Sequence, residues 1–138
     1  MHRHGYKGRK FGRERDQRRA LMRGLAISLI EQGAIETTVQ KAKDLRPYVE
    51  KLVTKARKGG LTNRRAVIAK LNNVQAGNRL CDVIAPSMKR DSGYLRIERL
   101  GKYRVGDNAE IARIEFVDSI VEKAETVANL DEDQKGDK

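Results

Sequence analysis

The chain has 138 residues, 30 Lys/Arg against 19 Asp/Glu, a formal net charge of +11 and a pI near 10.0, so the partner it asks for is a polyanion. That length suits one domain with extensions, long enough to bury about two-thirds of its unfolded surface. A lone Cys81 excludes an intrachain disulfide framework and fits a reducing cytoplasm; no apolar run nears the roughly 18 residues of a membrane span, and no signal-peptide core follows the basic start.

The basic excess is concentrated at the start. Between Met1 and Arg23 stand nine Lys/Arg and two acids, seven of the nine being arginine. Up to Arg19 no apolar residue recurs at helical or strand spacing, so this stretch has no face to bury. Glycines (Gly5, Gly8, Gly12) and aromatics (Tyr6, Phe11) lie among the cations. Arginine forks match phosphate and stack on bases, and glycine lets backbone approach closely. Residues 1–15 are therefore expected to form a flexible RNA-binding arm; the plainer alternative is a solvated charged tail.

A helix is expected from Asp16 to Gln32, with Leu21, Leu25, Ser28 and Leu29 on one side, Met22, Ala26 and Ile30 widening the stripe, and Gly33 as its stop. Arg15, Arg18, Arg19 and Arg23 fall off the stripe and extend the basic surface. A short strand, Ala34 to Val39, alternates Ile35, Thr37 and Val39 with polar residues, and Thr38 is placed to cap the next helix. That second helix, about Gln40 to Lys58, places Ala42, Leu45, Val49, Leu52, Val53 and Ala56 on one face; Lys41, Lys43, Arg46, Lys51, Lys55, Arg57 and Lys58 ring the rest. Pro47 interrupts it, and a single kinked helix is favoured over a late first turn. Gly59-Gly60 ends it.

A third helix is expected from a Thr62 or Asn63 cap to Leu71. A fourth runs from an Asn72 or Asn73 cap to about Ile84, burying Val74, Leu80, Cys81 and Ile84 before Pro86 closes it. Cys81 reads as a small buried hydrophobe. The period then changes to strands at Tyr94 to Leu100 and Ala109 to Val117, joined antiparallel through the turn-rich Gly101 to Asn108, with Ala112, Ile114 and Phe116 facing one way. From Asp118 the chain has net charge −4, and 119–138 is expected to be an acidic, partly disordered tail. The fold class is α+β in two layers, ordered helix, strand, three helices, two strands; a small sheet of about three strands is covered by helices over 16–118, behind the basic arm.

Catalytic and metal patterns are missing from the sequence. His2, His4 and a distant cysteine do not make a metal set, and both histidines fall in the arm, away from any orienting acid. Gly8-Arg9-Lys10-Phe11-Gly12 is only faintly like a phosphate cradle, since no strand precedes it. No enzyme, cofactor, metal or small-molecule substrate is expected.

The order of segments resembles the ribosomal protein L-17 family of the bacterial large subunit. The match begins at His2-Arg3-His4 and Gly8-Arg9-Lys10-Phe11-Gly12-Arg13 and continues through Arg18-Arg19-Ala20-Leu21-Met22-Arg23. It is most specific at Ile35-Glu36-Thr37-Thr38 and Lys41-Ala42-Lys43-Asp44-Leu45-Arg46-Pro47. It resumes at Asn63-Arg64-Arg65 and Gly93-Tyr94-Leu95-Arg96-Ile97, and closes with Arg104-Val105-Gly106-Asp107-Asn108-Ala109 and Ile114-Glu115-Phe116-Val117. It departs from the family pattern at Gly5-Tyr6, Gln17 and Gly24.

The resemblance implies a structural component of the large ribosomal subunit, bound to 23S rRNA near the outer end of the polypeptide exit tunnel among neighbouring ribosomal proteins. It implies a cytoplasmic, ribosome-bound protein with a part in assembly and translation. The rRNA-binding residues expected are Arg3, His4, Tyr6, Lys7, Arg9, Lys10, Phe11, Arg13, Arg15, Arg18, Arg19 and Arg23, with Arg46, Arg64, Arg65, Arg96 and Arg104 as matched positions elsewhere. For each of those five the alternative is a solvated or intrachain-paired arginine. The rival readings are a free RNA-binding protein or RNA chaperone, an RNA-processing enzyme and a membrane-surface binder.

Overall fold

A computed structural model describes residues 8–120. The expectations for Arg3, His4, Tyr6 and Lys7, and for the tail beyond Ile120, lie outside the described residues. Helix α1 (Arg15–Gln32) leads into β1 (Ala34–Thr38), α2 (Val39–Arg57) and α3 (Leu61–Leu71). Helix α4 opens as Val74–Arg79, passes through a π-helical turn at Leu80–Ile84 and finishes as Ala85–Ser87. Strands β2 (Leu95–Tyr103) and β3 (Glu110–Phe116) follow. This is the expected α+β order, with a three-stranded sheet.

The last strand is the middle one: the sheet order is β1-β3-β2, both pairs antiparallel. Ile35, Ile114 and Ile97 lie side by side in register, and the row turns its aliphatic side chains toward the helices. Alternation does the rest: Ala112, Ile114 and Phe116 are buried, while Arg113 on the opposite face is exposed. Among the described residues no polar or charged residue is buried, so the core between sheet and helices is apolar throughout.

Helix α2 forms the spine of that core. Ala42, Leu45, Val49 and Val53 have no exposed surface, and Pro47 sits on the exposed side of one unbroken helix. Solvent on that side hydrates the carbonyl that the missing N–H leaves unpaired. In α1 the buried residues are Ala26, Leu29 and Ile30, while Leu21 and Leu25 are half-buried, so the helix is rolled toward the flank that the pattern had marked as its margin. Gly33 is the expected stop, left-handed at φ 78°, with its N–H on the Leu29 carbonyl at 2.8 Å.

Several boundaries differ from expectation. Thr38 takes the N-cap position of α2, but its side chain makes no capping bond. Helix α3 starts at Leu61, ahead of the expected Thr62 or Asn63 cap, because Gly59 and Gly60 (φ 68° and 82°) complete the reversal themselves. Asn63 instead donates from Nδ2 to the Gly59 carbonyl at 2.7 Å. The two asparagines divide their roles: Asn72 ends α3 at φ 51°, and Asn73 caps α4, accepting the Ala76 N–H at 3.0 Å.

Val74 is 61% exposed rather than buried. Helices α3 and α4 approach closely at Gly77, where a Cβ would lie 2.5 Å from Ile68 Cγ1. Cys81, on the π-helical turn, is half-buried rather than buried, and its burial pushes the thiol up. Helix α4 also runs past Ile84, through Pro86 to Ser87, so Pro86 does not close it at the expected place. Strand β2 continues to Tyr103 because its register shifts between Arg99 and Tyr103, where Gly101 stands at φ 65°.

Candidate nucleic-acid interface

The segment before α1 lies against α1 and α2. Arg9 Nη1 donates to Asp44 Oδ1 at 2.5 Å, tying it to α2. A turn follows, with the Arg13 N–H on the Lys10 carbonyl at 3.2 Å and Arg13 Nη1 on the Phe11 carbonyl at 2.9 Å. Phe11 and Gly12 are left-handed (φ 55° and 59°), a conformation that a phenylalanine holds only when its surroundings impose it.

Beneath this segment is an open cleft of about 720 Å³, lined by Gly8, Arg9, Phe11, Arg18, Arg19, Met22, Arg23, Asp44, Pro47, Tyr48 and Lys70. Arg18, Arg19 and Arg23 come from α1, Tyr48 from α2 and Lys70 from α3, so four segments meet there. The Tyr48 hydroxyl donates to the Lys70 carbonyl at 3.2 Å, and the Lys70 ammonium lies 5.8 Å from the centre of the Tyr48 ring. Burial pushes the Tyr48 phenol up; the Arg23 charge pulls it partly back.

The cleft continues along α2. Two smaller depressions share Pro47, Lys51 and Lys55, and the farther one adds Lys58 and Asn63. Asp44, Tyr48, Lys51, Lys55 and Lys58 recur at intervals of four, three, four and three, so they form one stripe roughly 20 Å long beside the buried face of α2. The nearby acids are engaged by arginines: Asp44 by Arg9, and Glu50 by Arg46 Nε at 3.1 Å. Lys51, Lys55 and Lys58 have no carboxylate partner among the described residues. These lysines thus stand beside carboxylates that arginines already neutralise.

The expected residues outside the arm fare differently. Arg46 pairs with Glu50, Arg64 with Asp82 and Asn78, Arg96 with Glu115, and Arg104 with Asp107. The hydrogen bond from Arg104, and then that from the Ala109 N–H, hold the Asp107 carboxyl down at about 2. The bond from Arg96 lowers Glu115 likewise. Arg65 is exposed on α3 and has no intrachain partner among the described residues. Arg15 and Arg19 are exposed at the start of α1. Among the described residues no group of three His, Cys, Asp or Glu is placed to hold a metal, and no helix is long and apolar enough to cross a membrane.

Sequence reasoning passed over Tyr48, Lys51, Lys55, Lys58 and Lys70. For the first four the signal was present, as a second helical stripe beside the apolar one. Lys70 had none, because only the packing of α3 on α2 sets it over Tyr48.

A family model described as Ribosomal protein L17 matches residues 21–117, which contain all three strands and most of the helical face. The chain belongs to the ribosomal protein L17 family. It is similar to the protein named Large ribosomal subunit protein bL17 of Mesorhizobium japonicum, 53% identical over 117 residues, covering 84% of this chain and 81% of that one. It is also similar to the proteins of the same name from Persephonella marina (54% over 118 residues, 84% and 95%) and Campylobacter lari (51% over 117 residues, 84% and 97%). The matched range holds Arg23, Tyr48, Lys51, Lys55, Lys58 and Lys70; Arg9, Phe11, Arg18 and Arg19 precede it.

Proposed function

We propose that this chain is a structural constituent of the large ribosomal subunit. It binds 23S rRNA through residues 1–15 and α1, near the outer end of the polypeptide exit tunnel and beside neighbouring ribosomal proteins, in the cytoplasm. The observation that carries the reading is the basic face running from Arg9 over α1 to Lys58, on which Asp44 and Glu50 are already paired with arginines. Family membership and the relatives' names support it. The role is structural and needs no cofactor, metal or small-molecule substrate.

The physics is that of a probe on an anchor. Residues 8–13 lie against α1 and α2, so the reach of the probe is that of residues 1–7, which fully extended would span on the order of 25 Å, enough to neutralise phosphates of a neighbouring RNA helix. The domain 16–118 stays on the surface, and Arg18, Arg19 and Arg23 fix where the arm departs. The acidic excess of residues 119–138 disfavours their contact with phosphate. Outside the arm, Arg65 is the strongest of the five expected contacts, since the other four give up a carboxylate to take a phosphate. Such contacts contribute to subunit assembly and hence to translation.

The test is sedimentation of the tagged full chain from lysate after washing at rising salt, followed by cross-linking to RNA. Comigration with large subunits and cross-links to 23S rRNA near the tunnel exit are expected. A chain that leaves the subunits at low salt and cross-links to RNAs at large is a free RNA-binding protein or chaperone instead.

A further inference from the structure

The cleft between residues 8–11 and the helices has walls that a phosphate-binding surface does not require. Cations suffice for phosphate, yet Phe11, Met22, Pro47 and Tyr48 line the same space as Arg18, Arg19, Arg23 and Lys70. A paired RNA helix shows a protein its phosphates and 2′-hydroxyls and keeps its base faces stacked. Aromatic surface in a basic cleft therefore gains nothing from a duplex and gains from a base that has left the stack. The volume, about 720 Å³, lies inside the roughly 300–1,000 Å³ of clefts that enclose small organic groups.

We propose that this cleft receives one unstacked nucleotide of RNA, its base against Phe11 and Tyr48 and its phosphates on Arg18, Arg19, Arg23 and Lys70. The proposal rests on the rRNA-binding reading and adds that the RNA at this point is a bulge or loop. The walls are set before the ligand arrives. The hydroxyl of Tyr48 is tied to the Lys70 carbonyl, and the segment carrying Phe11 is pinned through Arg9 to Asp44 and turned by the Arg13 N–H on the Lys10 carbonyl. Preorganisation of this kind lowers the ordering cost of binding. The uncompensated lysines along α2 then carry the flanking phosphates away from the cleft.

The test uses the full chain and two RNA hairpins of the same length, one perfectly paired and one with a single bulged 2-aminopurine. Tighter binding of the bulged hairpin, by about tenfold, is expected, with quenching of 2-aminopurine fluorescence as its ring stacks. Tyr48→Leu and Phe11→Leu remove the quenching and bring affinity for the bulged hairpin down to that for the paired one. Tyr48→Phe, which keeps the ring and loses only the bond to the Lys70 carbonyl, retains the quenching and most of the preference, and so separates loss of stacking from loss of fold. Lys55→Ala weakens both hairpins alike. Equal affinity of the wild-type chain for the two hairpins overturns the proposal while leaving the rRNA-binding reading standing. So does a Tyr48→Leu variant that still prefers and quenches the bulge. Failure to bind either hairpin or 23S rRNA removes both.

Discussion

On the outer side of α2, Lys51, Lys55 and Lys58 have no carboxylate partner among the described residues, and the acids near them are already bound to arginines. On the outer face and hairpin end of the sheet, the arginines are themselves the bound partners: Arg96 and Arg113 with Glu115, Arg99 with Glu110 at 3.7 Å, Arg104 with Asp107. Both regions are rich in cations, but on the sheet only Lys102 lacks a carboxylate partner among the described residues, whereas α2 presents three such lysines along one stripe. Exposed ion pairs contribute little to stability, about 0–1 kcal/mol each, yet they decide which cations are available to a polyanion. Counting basic residues therefore overstates the uncompensated charge of the sheet relative to that of α2.

The largest expected effect comes from removing the arm. Deleting residues 2–15 takes away six Lys/Arg, Arg15 among them, and should leave a folded domain by circular dichroism. Affinity for 23S rRNA should fall by at least about 100-fold, and the slope of log affinity against log salt by up to about 4–5. An unchanged slope would sink the arm's role, and a truncated chain that unfolds would make residues 8–15 part of the scaffold.

The scaffold shared by the two regions can be weakened by itself. A methyl on Gly77 meets Ile68 Cγ1 at 2.5 Å and Ile68 Cα at 3.2 Å, so rotation of the Ile68 side chain does not clear it. Gly77→Ala should lower stability by about 1–3 kcal/mol in urea titration and leave the salt slope of the remaining folded protein intact. A changed slope would mean that RNA binding depends on the α3–α4 packing.

A smaller effect should separate the two regions directly. Changing Lys51, Lys55 and Lys58 together to alanine should weaken rRNA binding about tenfold and reduce the salt slope by about 2. The matching triple change of Arg96, Arg99 and Arg104 should move the slope by less than about 1. Equal losses would erase the contrast drawn between paired and unpaired cations.

The smallest effect concerns acid. Asp107 in the folded chain sits at about 2, below the roughly 3.9 of a free aspartate. Its contribution is thus fully present above about pH 4 and is lost as pH falls toward 2. Glu115, also lowered, acts in the same direction. Asp107→Asn should therefore show a shallower fall in melting temperature between about pH 5 and pH 2.5 than the wild-type chain. Parallel curves would show that the Arg104 pair does not hold the hairpin end.

Periodicity made most of the scaffold legible. The six apolar positions of α2 all proved buried, the inward row of β3 was assigned correctly, and Gly33 marked the end of α1. These follow from local spacing and the left-handed freedom of glycine, which neighbours along the chain determine. The ends of α3 and β2 were misplaced because turn residues were read as limits. Gly60 starts a helix and Gly101 lets a strand run on through a shift of register. Of the site, the cations of α1 and the arm segment were legible as charge, whereas the fate of Arg64 and Arg96 was not, since their partners lie far away in the chain. Arg46 and Arg104 have partners within four residues, but spacing alone left pairing and RNA contact equally open.

The sequence by itself determined that the chain is an α+β domain with a basic N-terminal end, because hydrophobic period and net charge are sums over neighbouring residues. Only the tertiary structure decided that β3 sits between β1 and β2, that α3 brings Lys70 over Tyr48, and which arginines are neutralised. Those depend on contacts between residues distant in the chain, and packing rather than local preference selects them.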